Sequence, residues 1–314
     1  MKVLVAIVTL ILTTGYLYAQ VSNVRVQQRT DGNFMVDIYY DFTNPDGYDT
    51  EIAVEASDDN GATWELACSS SNQTGDLGED ITAGTDKHIV WDFYADNPNT
   101  SGSQFKVRVL YYFFSTMTGN DGTVYKTVKI GDQWWMAENL KETQYRNGDE
   151  IPEVDYNTSW EDISTGARCG YRWDETYIET YGFLYNWYAV NDSRSIAPNG
   201  WHVPTDDEWS TLQNTLGGTM AGGKLKETGT THWESPNTGA TNKSRFTALP
   251  GGYRFDKNRD LLAISTEFWS STRFVFSGNP MKDAWVRKLH RDITEIQRMY
   301  EHFTYGLSVR LVKD

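Results

Sequence analysis

Between Val21 and Tyr112 apolar and polar residues alternate with a period of two, in short runs cut by turn residues, and that pattern restricts this part of the chain to β-strands. In "NFMVDIYYDF" Met35, Asp37 and Tyr39 fall on one side and Val36, Ile38 and Tyr40 on the other. "TEIAVEAS" repeats the alternation through Ile52 and Val54, and "KHIVWDF" and "QFKVRVLYYF" supply two further strands. Asp59, Asn60 and Gly61 mark a hairpin turn ahead of Trp64. Nothing here sustains a helical period, so the expectation is an antiparallel β-sandwich of about seven strands with Trp64 and Trp91 in its core. Asp58, Asp59, Asp76, Glu79 and Asp80 lack a calcium-loop spacing and read as solvated surface.

The chain opens with a lysine, an apolar run from Val3 to Leu12, and small and aromatic residues closing at Ala19. That order predicts a secretory signal peptide over residues 1–19. No later run approaches the ~20 apolar residues that span a bilayer, so the expectation is an exported protein without a membrane-spanning segment: secreted, at the cell surface, or in the periplasm. Residues 20–113 hold 5 Lys and Arg against 16 Asp and Glu, and residues 114–314 hold 22 against 27. So acidic a front half excludes nucleic acid and anionic membrane surfaces as partners, because phosphate binding needs clustered cations. The two cysteines, Cys68 and Cys169, lie one in each half. They provide neither a disulfide framework nor a Cys-rich zinc site.

After Phe114 the composition changes: ten of the twelve tryptophans follow it. The polar stretch "STMTGNDGTVY" places a boundary near Ser115, giving domains over 20–114 and 115–314. "TVYKTVKIGDQWWMAENL" predicts a hairpin, with a strand through Val128 and Ile130, a turn at Gly131 and Asp132, and a return through Trp134, Trp135 and Met136. "WHVPTDDEW" gathers a histidine and three carboxylates between Trp201 and Trp209. It reads as a helix start: Thr205 as N-cap and Glu208 three residues on form a capping box. Asp206 and Asp207 sit in the first turn, where the helix dipole favours carboxylates. Trp209, Leu212 and Leu216 give the apolar face, and Gly217 and Gly218 the stop. His202 precedes the cap in extended chain and shares no helical face with the acids, and no i, i+4 histidine pair is present, so no metal is predicted. His88, His232, His290 and His302 are isolated, and no nucleophile elbow or phosphate-cradling loop occurs. No catalytic residue and no cofactor are therefore assigned.

"GTVYKTVKIGDQWWMAENL", "YGFLYNWYAV", "APNGWHVPTDDEWSTL", "FTALPGGYR", "FWSSTR" and "YGLSVRLVKD" resemble, in this order, the Fibrobacter succinogenes major paralogous domain over residues 123–314. "SDDNGATW", "GTDKHIVWDF" and "FKVRVLYY" resemble the small sandwich modules of secreted Bacteroidetes proteins. The resemblance implies exported, repeatedly duplicated surface proteins and, more distantly, the C-type lectin fold shared with formylglycine-generating enzymes. The fold class expected is two domains: an all-β sandwich of fibronectin type III or immunoglobulin-like plan, then an α+β C-type-lectin-like domain. Formylglycine-generating enzymes use cysteine pairs to bind a soft metal, and this domain has the single thiol Cys169. Many family members carry cysteines where Ala197 and Leu311 stand, which implies a disulfide replaced by a packing contact, with these two residues close together. The calcium-dependent sugar motif of true C-type lectins is absent, and Ser270 and Ser271 of "FWSSTR" stand at the comparable place.

In the lectin plan the functional surface is the long-loop region. The resemblance thus nominates Trp160, Tyr171 and Trp173 of one loop and Tyr253, Arg254 and Arg273 of another as ligand-binding residues, while Trp187, Trp201, Trp209 and Trp269 read as core. The expected function is an exported, non-catalytic surface protein that recognises a glycan or a protein, with the sandwich as spacer. The alternatives are a structural component of a cell-surface assembly and, third, a formylglycine-generating-enzyme-like enzyme.

Overall fold

A computed structural model describes residues 20–154, 160, 162–170, 175–255 and 258–314. The signal peptide expected over residues 1–19 lies outside them. The chain divides into two compact units between Ser115 and Thr116.

In the first unit β1 (Gln20–Gln28), β2 (Met35–Thr43), β4 (Gln73–Gly75) and β5 (Gly84–Asp92) form an antiparallel sheet in the order β1-β2-β5-β4. Opposing it, β3 (Asp49–Ser57) pairs with β6 (Lys106–Thr118), and the short helix α1 (Phe93–Asp96) follows β5. The alternation sorts side chains as the sequence requires: Val36, Ile38, Tyr40 and Phe42 are buried from β2, and Ile52, Val54 and Ala56 from β3. Ile89 and Trp91 of β5 and Val109 of β6 complete this core. Trp64, expected inside, is instead half-buried, with the Arg108 guanidinium 4.2 Å from its ring centroid. Six strands form rather than seven. At the expected turn Asp59 accepts hydrogen bonds from the Ser57 hydroxyl and from the backbone and hydroxyl of Thr63.

The second unit is also rich in β-structure. The stretch read as a joint is strand as far as Thr118. The turn then follows over 119–123, and β7 (Val124–Ile130) and β8 (Gln133–Met136) make the expected hairpin, closed by Ile130 opposite Gln133 with Gly131 at φ 61°. Short elements follow: β9 (Arg168–Cys169), α2 (Glu175–Tyr181), β10 (Leu184–Tyr185), α3 (Trp187–Val190) and β11 (Trp201–His202). The helix α4 (Asp206–Thr215) and the short α5 (Gly222–Leu225) precede β12 (Tyr253–Phe255) and β13 (Asn258–Asp260). Long strands β14 (Ser265–Phe276) and β15 (Asn279–His290) then pair, β16 (Gln297–His302) adds to β15, and β17 (Val312–Lys313) lies between β8 and β11. Trp187, Trp201, Trp269, Ala197 and Leu311 all belong to one buried core.

Much of this unit is irregular chain, so its buried carbonyls need donors from side chains. Arg310 supplies four hydrogen bonds. Fully buried, it donates to the carbonyls of Met136, Phe246 and Thr247 and to Oδ1 of Asn139, with its guanidinium 4.4 Å from the Phe246 ring centroid. Burial draws its pKa down to about 9, which keeps it charged at neutral pH. Arg310→Met is expected to lower unfolding free energy by at least about 2 kcal/mol, because several buried acceptors lose their donors. Arg310→Lys is expected to rescue little, since one ammonium cannot reproduce a planar fork. Urea denaturation of the three proteins tests this, and equal midpoints for wild type and Arg310→Met would refute it.

Glu142 organises the 119–123 turn. It is fully buried, and its Oε2 accepts from the backbone N–H of Asn120 at 2.7 Å and of Asp121 at 3.2 Å. Glycine at 119 lets the carboxylate approach this closely: a Cβ there would lie 1.7 Å from Oε1 of Glu142, so a larger residue would displace that side chain. Burial, then the charge of Asp121, pushes the Glu142 carboxyl up to about 7. The folded chain thus keeps a proton that the unfolded chain releases near pH 4.5, and stability falls as pH rises from about 4.5 to about 7. Glu142→Gln is expected to flatten that fall and to gain most at pH 7.5. A pH slope identical to wild type in denaturant titrations would count against this role.

Candidate functional site

The acids of "WHVPTDDEW" resolve into partners. The Glu208 N–H donates to the Thr205 hydroxyl at 3.2 Å, and the Thr205 N–H donates to Glu208 Oε2 at 2.8 Å, so the capping box is complete. His202 stands outside the helix, but its ring reaches two carboxylates, with Nε2 2.8 Å from Glu208 Oε1 and Nδ1 2.6 Å from Asp314 Oδ1. The bond to Glu208, then that to Asp314, raises the His202 pKa above its ordinary value despite burial. Among the described residues no group of three or more His, Cys, Asp and Glu side chains is placed to hold a metal ion.

Asp206 does more than favour the helix dipole. In the β15-β16 ladder Arg287 stands directly opposite Arg298, a pairing of like charges that would repel. The Asp206 carboxylate lies between them, accepting from Arg287 Nη1 at 2.7 Å and from Arg298 Nε and Nη2 at 3.0 and 2.7 Å. Burial opposes its charge, but the bonds from Arg298 and Arg287 outweigh it and hold the carboxyl below its usual range. A first-turn acid therefore fixes α4 to the sheet, and no sequence spacing reveals it.

The loop residues nominated from sequence separate. Trp160 is buried rather than presented to a ligand. The guanidinium of Arg254, itself buried, covers the Trp160 ring at 4.3 Å from the centroid and donates to the Val154 carbonyl at 3.2 Å. Both leave the candidate set, because each satisfies the other by cation–π contact inside the unit. Tyr171 and Trp173 lie outside the described residues. Tyr253 is half-buried, its ring 6.0 Å from that of Tyr305. Arg273 is exposed and donates to the Met281 carbonyl at 3.2 Å, which ties it to the β14-β15 hairpin.

That hairpin and β16 carry the surface that sequence reasoning missed. Trp285 sits opposite Tyr300 in register, and the ring of Phe274 stacks on Tyr300 at 4.0 Å and meets Trp285 edge-on at 5.0 Å. Arg298, already held by Asp206, lies 3.3 Å from the Trp285 ring centroid. Around this set Tyr300 is 51% exposed, Phe276 64% and Val275 51%, and Met281 and Met299 are exposed too. Apolar side chains exposed in this way mark a candidate interaction surface, from which Met299 is set apart because it neighbours Tyr300 in the strand and stands opposite the buried Val286, on the other face of the ladder. The available signal was the alternation in "RFVFSGNPM" and the tyrosine within the polar strand "QRMYEH".

Asp206→Ala is expected to cost about 3–5 kcal/mol, because it leaves Arg287 buried without its counter-ion. Asp207→Ala, at an exposed position of the same turn, is expected to cost under about 1 kcal/mol. Comparable losses in thermal or urea unfolding would contradict the assignment.

A family model described as the Fibrobacter succinogenes major domain matches residues 128–313. No curated protein and no solved structure matches the chain.

Proposed function

The chain belongs to the Fibrobacter succinogenes major domain family, and from this premise we propose an exported, non-catalytic protein that recognises a partner protein through the β14-β15-β16 surface. The carrying observation is the aromatic and arginine set at that surface. Trp, Tyr and Arg dominate protein-interface hot spots, and here they are held before any partner arrives: Trp285 by Arg298, Arg298 by Asp206, and Tyr300 by Phe274. Side chains already immobilised lose less entropy on binding.

The same contacts favour protein over glycan. A sugar ring stacks on an open aromatic face beside hydrogen-bonding groups, whereas Trp285 gives a face to Arg298 and Phe274 and Tyr300 give faces to each other. What stays open is apolar and edge-rich, including Val275, Phe276 and Met281. Methionine-bearing surfaces of this type adapt to protein partners.

Two finer readings of fold are part of the proposal. The first unit follows a fibronectin type III or immunoglobulin-like plan, supported by its opposed antiparallel sheets. The second is C-type-lectin-like, supported by the pairing of its last strand, β17, with β8 of its first hairpin and with β11. The apolar run Val3–Leu12 supports export, and no helix among the described residues is long and apolar enough to cross a membrane.

The test is a double variant, Phe276→Ser with Tyr300→Ser, compared with wild type by cross-linking to cell-surface proteins and on a glycan array. A protein partner retained by wild type and bound at least about 30-fold more weakly by the variant, roughly 2 kcal/mol, is the expected result. The variant should melt with wild type. Undiminished partner binding by the folded variant, or a glycan ligand indifferent to it, would end the proposal.

A further inference from the structure

The first unit is a sandwich of unequal sheets: four strands in the order β1-β2-β5-β4 face β3 and β6. One margin is sealed. Beyond β4, Gly78 exchanges both backbone hydrogen bonds with Ile52 of β3, at 2.8 Å each. β6 therefore lies toward β1, and at that margin the inner faces are bare. Val26 and Gln28 of β1 stand opposite the buried Ile38 and Val36 in register, yet are only half-buried themselves. On β6 Val107 is half-buried and Tyr111 is 37% exposed, whereas Ala56 and Ile52, their partners on β3, are each 1% exposed. A cavity of ≈ 360 Å³ follows, walled by Val26, Trp91, Phe105 and Val107, with Phe34 and Tyr94 at its exposed rim.

The backbone is open in the same place. A strand has two hydrogen-bonding edges, and an unpaired one is a template for another chain. Along Lys106–Val109, β6 gives one edge to β3. The strand β7, seven residues long after the turn over 119–123, is too short to return along this end of a thirteen-residue strand. Among the described residues no other strand meets that edge. The free edge of β1 is different, because a bulge between Ser22 and Arg25 breaks it. A strand added to β1 would also widen the wider sheet and leave the inner faces bare. In a four-on-three sandwich the third strand lies beside β6, where it covers Val26, Gln28 and the cavity together.

We propose that the first unit is completed in trans by an extended segment of a partner protein, which ladders to Lys106–Val109 of β6 and turns alternate apolar residues inward, an aromatic one into the cavity. Main-chain bonds then supply affinity and the inward side chains specificity. Its outward residues lie beside Lys106 and Arg108, which point away from Val107. Arg108 is paired with Glu55 and Lys106 is not, so an acid beside Lys106 fits best.

The probe is a blocked nine-residue peptide of alternating valine and threonine, with phenylalanine at the centre and one threonine replaced by aspartate. Residues 20–314 are titrated with it and followed by deuterium exchange. One-to-one saturation is expected, with exchange slowed along Lys106–Val109. N-methylation of alternate peptide amides separates the two edges: the set that faces β6 should weaken binding at least about tenfold and the other set little. Lys106→Glu should weaken the aspartate peptide at least about threefold more than its all-threonine counterpart. The proposal is overturned by absence of saturable binding, by equal binding of the two methylated peptides, by protection of β1 in place of β6, or by a Lys106→Glu variant that binds both peptides as wild type does. The Phe276→Ser, Tyr300→Ser variant leaves β6 untouched and should bind the peptide as wild type does, so this outcome is independent of the partner surface on β14-β16.

Discussion

The second unit depends on cations that hold carbonyl oxygens. Apart from β14 and β15 its elements are mostly short, and long stretches of irregular chain leave backbone acceptors that no strand or helix satisfies. Arg310 takes three carbonyls from two segments. Lys226, fully buried, donates to the carbonyls of Thr238, His290 and Ile293. Arg146 donates to those of Ala197 and Pro198. In a chain of net charge -15 these cations are structural, Arg310 and Lys226 from within the core and Arg146 from an exposed position: each ties loops together that apolar packing alone would leave with unpaired polar groups.

The Asp206 cluster applies the same logic at the edge of the core. Arg287 and Arg298 face each other across a ladder, and their repulsion is tolerable only because α4 begins with a carboxylate between them. Helix start, sheet register and surface are thereby one arrangement. Arg298 is fixed by Asp206, and Trp285 is fixed under Arg298. The acid that the sequence marks as a dipole partner also sets the geometry of an aromatic surface 79 to 94 residues away along the chain, from Trp285 to Tyr300.

Local physics was legible and long-range physics was not. The Thr205 and Glu208 capping box, the Gly131 turn and the buried face of β2 follow from spacing within a few residues, and each is found where the spacing puts it. The Trp160 and Arg254 pair joins positions 94 residues apart, and either residue alone looks like a loop-borne binding group. An aromatic side chain among polar neighbours reads identically whether it is covered by a distant arginine or open to solvent. For that reason spacing alone does not distinguish the covered Trp160 from Trp285 and Tyr300.

Strongly shifted titration is a common mark of catalytic groups, and several residues here show it: Glu142 is pushed up to about 7, Lys226 down to about 8, and the Cys68 thiol up to about 12. In all three burial is the leading cause. Glu142 is engaged with backbone N–H groups, Lys226 with three carbonyls and Cys68 with the Gln73 side chain. A catalytic acid or base must meet a substrate in the state its shift provides, whereas Glu142 and Lys226 are fully buried and spend that state on the fold. The perturbations therefore report the desolvation cost of holding irregular chain together. Among the described residues the exposed aromatic edges on β14 to β16 are not spent in this way, and they are the groups through which the proposed partner would be held.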